Sequence, residues 1–157
     1  MSYDLMIMDK HKRFSDKKGF LEWYNELIEW KEDVDYNDYR HATPDLQKWF
    51  LEIKDIIPPL NGEFSPADEE LGNGEFQEAD YCIAKDAIYV AFAWSDAEKI
   101  YPIVTKLVQK HNVAFFDIPN DRVVYPNGYI LSLTDTVKSP STSIFQRIKR
   151  LFRFKMY

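Results

Sequence analysis

The stretch Tyr81-Cys82-Ile83-Ala84-Lys85-Asp86-Ala87-Ile88-Tyr89-Val90-Ala91-Phe92-Ala93 decides how this chain is read. Two β-prone apolar runs flank the polar pair Lys85-Asp86, a spacing that predicts an antiparallel hairpin. Directly after it, Ser95-Asp96-Ala97-Glu98 has the pattern of a capping box, in which Ser95 accepts from the Glu98 N–H while the Glu98 side chain reaches back. Ile100, Ile103, Val104, Leu107 and Val108 then recur at helical spacing, with Pro102 expected to kink the helix and Lys110 suited to its C-terminus. Val113–Ile118 reads as a strand, Pro119-Asn120-Asp121 as a turn, Arg122–Pro126 as a short strand, and 128–137 as a source of a further edge strand.

Upstream, Tyr3–Met8 is a short apolar run ended by charges, the signature of a central strand. Ser15 or Asp16 can cap a helix whose apolar positions are Phe20, Tyr24, Leu27 and Ile28. Thr43-Pro44 marks a second helix start, because proline at the first helical position loses a hydrogen bond that the helix would not have made. Leu46, Trp49, Phe50, Ile53 and Ile57 supply its apolar face, and Pro58-Pro59 stops it. The segment 63–80 holds seven acids and no Lys or Arg, and reads as a long surface loop with a helical turn near 66–71.

This order predicts an α+β fold: a mainly antiparallel sheet with helices packed on one face. A ferredoxin-like core, strand–helix–strand–strand–helix–strand, fits with the second helix as an insertion. The expected organisation is a single domain over 1–137 and a basic amphipathic C-terminal tail over 138–157.

Charge divides at the same place. All 26 acidic residues fall within 1–137 against 14 Lys and Arg, a formal charge of −12, whereas 138–157 carries +6. A −12 globule repels phosphate, so nucleic acid is not expected as its ligand. The tail from Ser143 has apolar residues on one side and cations elsewhere, suited to docking on the acidic globule or on a partner, to weak membrane contact by residues 144–157, or to weak, salt-sensitive binding of nucleic acid. A single cysteine, Cys82, allows no internal disulfide and fits a reducing cytosol. The N-terminus is a poor signal peptide and no run of 18 apolar residues occurs, so a cytoplasmic location is expected.

No catalytic constellation emerges. His11, His41 and His111 lack partners at a metal-ligand spacing. Cys82 sits among strand residues and reads as an inert thiol. Gly72-Asn73-Gly74 lacks the GK[ST] of a phosphate loop and is surrounded by glutamates. The expectation is therefore a protein that is not an enzyme and has no catalytic residue, metal site or cofactor. Two acidic patches, 29–38 and 63–80, are better material for binding a basic protein surface. The expected contact residues are Trp30, Glu32, Asp33, Asp35, Tyr36, Asp38, Glu69, Glu70, Glu75 and Glu78.

Ser2-Tyr3-Asp4-Leu5-Met6, Phe20-Leu21-Glu22-Trp23-Tyr24, and Trp49-Phe50 followed by Pro58-Pro59-Leu60-Asn61-Gly62 carry a resemblance, as do Ala91-Phe92-Ala93-Trp94-Ser95 and Phe115-Phe116-Asp117. Over roughly residues 2–118 the chain resembles a family of small, largely uncharacterised bacterial proteins. That family includes candidate immunity proteins of contact-dependent and Rhs-type toxin systems. The resemblance implies a bacterial cytosolic binder whose partner is a cognate toxin domain with a basic surface; a nuclease, with its basic cleft, complements the acidic globule. The alternatives are a small enzyme gathering His41, Tyr89 and Asp117 in a pocket, and a peripheral membrane protein attached by the tail.

Overall fold

The structure, a computed structural model, describes residues 1–134. The tail 138–157 and the end of the expected domain therefore lie outside the described residues. The chain is α+β. Strands β1 (Ser2–Met8), β2 (Asp80–Ile83), β3 (Ala87–Ala93), β4 (Ala114–Asp117), β5 (Arg122–Val124) and β6 (Ile130–Ser132) form one sheet in the order β2-β3-β1-β4-β5-β6. Every adjacent pair is antiparallel. Helices α1 (Lys17–Leu27), α2 (Pro44–Ile56) and α3 (Ala97–Lys110) complete the fold.

β1 is central, as its apolar run predicts: it pairs with β3 from Ser2↔Ala93 to Met8↔Ala87, and with β4 through Met6↔Phe116. Successive strand side chains point to opposite faces, and here both faces are covered. Leu5 and Ile7 join Ile88, Val90, Trp49, Ile53, Val104 and Leu107 in one core, under α2 and α3. Met6 and Met8 join Phe20, Tyr24, Tyr89 and Phe116 in a second core, under α1. A strand buried on both sides has no polar face to show, hence the unbroken Leu5-Met6-Ile7-Met8 run.

Packing of helices on one face holds for α2 and α3, whereas α1 covers the opposite face. β1, α2, β2, β3, α3 and β4 form the strand–helix–strand–strand–helix–strand core, with sheet order β2-β3-β1-β4. The added helix is thus α1, not α2. Amphipathicity requires each helix to bury a stripe but is silent on which side of the sheet receives it.

Three start signals resolve differently. Asp16 caps α1, its Oδ1 accepting from the Gly19 N–H at 2.9 Å. Thr43 occupies the cap position of α2, yet its hydroxyl makes no capping bond. The expected Ser95–Glu98 box does not form. A 3-10 turn at Trp94–Asp96 comes first, which moves the cap of α3 to Asp96. The Asp96 carboxylate instead accepts from the Gln77 N–H at 3.1 Å, tying the turn to the long acidic loop.

Candidate partner-binding surface

The two acidic loops border the same edge strand, β2. The first leaves α1 through Trp30, whose φ of 52° turns the chain back on itself. The indole packs on the α1 core, 5.3 Å from the Tyr36 ring and 6.2 Å from Tyr89, both edge-on. The Tyr36 hydroxyl accepts from the Glu32 N–H at 2.8 Å, and the Tyr36 carbonyl accepts from the Ile83 N–H at 2.9 Å. Glu32 Oε2 accepts from the Lys85 N–H at 3.0 Å. Trp30, Glu32 and Tyr36 thus hold this loop against the end of β2 and the hairpin turn. Asp33 and Asp35 face solvent, and Asp35 closes a local turn by accepting from the Asn37 N–H at 2.9 Å.

The second loop leaves α2 and returns at β2. Its ends lie side by side: the Leu60 N–H donates to the Ala79 carbonyl at 2.8 Å, and the Ala79 N–H to the Pro58 carbonyl at 2.9 Å. Such closure, with an internal anchor, follows the logic of an Ω-loop over a longer span. The anchor is Phe76, which reaches the core under α2 and α3, with Phe64 packed beside that core. A 3-10 turn at Asp68–Glu70 matches the helical turn expected there. Glu69, Glu70 and Glu75 are exposed, whereas Glu78 Oε1 accepts from the Gly72 N–H at 2.9 Å.

One arginine joins the loops. Arg40 donates through Nη1 to Asp38 at 2.9 Å and through Nη2 to both Glu63 oxygens at 2.8 and 3.0 Å. The Arg40 N–H also reaches Asp38, and these bonds hold the Asp38 carboxyl below the usual carboxylate range. At the same junction Gly62 has φ +91°, and a Cβ there would lie 3.2 Å from the Asn37 carbonyl oxygen, so the two backbones meet where only glycine fits well. The signal for this clamp was present in sequence: Arg40 is the sole Lys or Arg between Lys31 and Lys48.

The residues of the enzyme alternative are not brought together. His41 Nε2 is bonded to the Ile83 carbonyl at 2.7 Å, beside the hairpin. Tyr89 lies under α1 and donates to Asp4 at 2.9 Å. Asp117 is fully buried on the other face, where it accepts from Tyr101 at 2.8 Å, Asn120 at 2.9 Å and Arg122 at 3.2 Å. A carboxylate so occupied serves to hold β4, β5 and α3 in place. Burial, with Asp80 beside it, pushes the Cys82 thiol up to about 12, the state of an unreactive cysteine. Among the described residues no three His, Cys, Asp or Glu side chains group as metal ligands, and no helix is long and apolar enough to cross a membrane.

Compared with protein-family models, with curated proteins and with solved structures, the chain has no match.

Proposed function

We propose that this protein is a cytoplasmic immunity protein that binds a cognate bacterial toxin domain and blocks its active site. The carrying observation is the pinning of both acidic loops to β2, which leaves Asp33, Asp35, Glu69, Glu70 and Glu75 exposed on ordered backbone. A backbone already held in place loses little entropy on binding, and the field of its carboxylates steers a basic partner into contact. The residue-level resemblance to candidate immunity proteins supports the same reading. A nuclease is the favoured toxin, because its substrate channel must be basic to hold phosphate. The protein acts by covering that channel and does no chemistry itself.

The test is coexpression with the C-terminal domain encoded by the adjacent large open reading frame. Expected are survival of the host cell and copurification of the two chains at a defined stoichiometry. A chain that neither protects nor copurifies refutes the proposal.

A further inference from the structure

The aromatic residues of the first acidic loop are partly committed to the fold: Trp30 packs beside the α1 core and Tyr36 meets Trp30 edge-on, and both are half-buried. A different tryptophan stands in water. Trp94 is 50% exposed at the β3–α3 junction, in the 3-10 turn that replaces the expected capping box. Its ring meets Tyr3 edge-on at 6.0 Å, and Tyr3 is only 8% exposed, so one side of the indole rests on a fixed support. The turn is bonded to the second acidic loop through Asp96 and the Gln77 N–H. Glu98, exposed in the first turn of α3, adds a carboxylate, and Lys99 is the only cation in sequence between Lys85 and Lys106.

We propose that Trp94 is the apolar anchor of the partner-binding surface, at its second-loop end, and seats in an apolar pocket rimmed by Lys and Arg on the toxin domain. This rests on the immunity reading above and deepens it. A supported, half-exposed indole loses little freedom on binding and buries a large apolar area, which is why tryptophan is over-represented at interface hot spots. Glu98 and the second acidic loop, tied to the turn through Asp96, supply the charge that selects a basic partner, while the ring supplies residence time.

The experiment measures association and dissociation rates with the same adjacent-gene domain, made inactive, against four forms of the full chain. Trp94→Ala raises the dissociation rate at least about tenfold and leaves the association rate within about threefold. Tyr129→Ala, which removes an equally prominent ring (47% exposed) on the β5–β6 connection, leaves both rates unchanged. Melting curves identify any loss of fold. If Trp94→Ala melts early, Trp94→Phe, which keeps a ring on Tyr3, reports instead and must dissociate at least about threefold faster. Wild-type dissociation in the folded Trp94 variant overturns the anchor and leaves the immunity reading standing. Failure of the wild-type chain to bind overturns both.

Discussion

Phe76 decides whether the second acidic loop is a structured surface or a floppy connection. It is 5% exposed and belongs to the core under α2 and α3. Truncation to alanine returns most of an aromatic side chain to water. At about 25 cal/mol per Å2 over roughly 150 Å2 the loss is about 4 kcal/mol. A site at the end of a loop collapses more readily than a central one, which places the expected cost near 3 kcal/mol, the low end for buried phenylalanine. With a urea dependence of about 2 kcal/mol per M, the unfolding midpoint falls by about 1.5 M. The variant also becomes sensitive to proteolysis within 63–78 under native conditions, because the loop loses its internal anchor. Leu71→Ala in the same loop is the control: at 42% exposure it stays within about 0.5 kcal/mol of wild type. Equal costs for the two variants, or a Phe76→Ala protein as stable and protease-resistant as wild type, would refute the reasoning.

The helix caps give a matched pair of tests: Asp16→Ala costs about 1 kcal/mol in urea unfolding, and Thr43→Ala about half that or less, because only Asp16 makes a side-chain capping bond. Glu52 sets part of the acid limb. Lys110 at 2.8 Å and His111 at 2.5 Å hold its carboxyl below the usual value. A folded-state pKa below the unfolded one gives stability that is fully present above the unfolded pKa and is lost as pH falls through the folded one, so Glu52→Gln flattens the stability profile below about pH 4.5.

Much of the fold can be read from the residues, and the exceptions have physical reasons. The run Leu5–Met8, the hairpin about Lys85-Asp86 and the Thr43-Pro44 helix start are local signals, and each stands where expected. The side of the sheet taken by α1 is not local, because its Phe20–Tyr24 stripe would suit either face. The capping box is absent because the chain takes a 3-10 turn at Trp94–Asp96 before α3 begins, which moves the cap to Asp96, whose carboxylate is bonded to the Gln77 N–H 19 residues upstream. Turns likewise place the aromatic residues. In sequence Trp30 and Tyr36 stand among acids, but a left-handed residue at Trp30 turns the loop back against Tyr89. Trp94 follows a buried strand, and the 3-10 turn leaves its ring half-exposed. The acids were legible by composition and the isolated Arg40 among them hinted at a clamp, but their common border on β2 depends on Tyr36 and Ala79 backbone contacts that no sequence spacing reveals.

In the proposed function the acidic loops recruit a basic protein domain. The most direct test is the association rate of the inactive adjacent-gene domain as a function of salt, for the wild-type chain and for Glu69→Lys/Glu70→Lys/Glu75→Lys. All three glutamates are exposed, so the triple variant should melt as wild type does. The predicted result is a wild-type association rate that falls steeply with salt, and a triple variant that associates at least about tenfold more slowly at low salt with a flattened salt dependence. A salt-independent rate, or a folded triple variant that associates as fast as wild type, would contradict the claim.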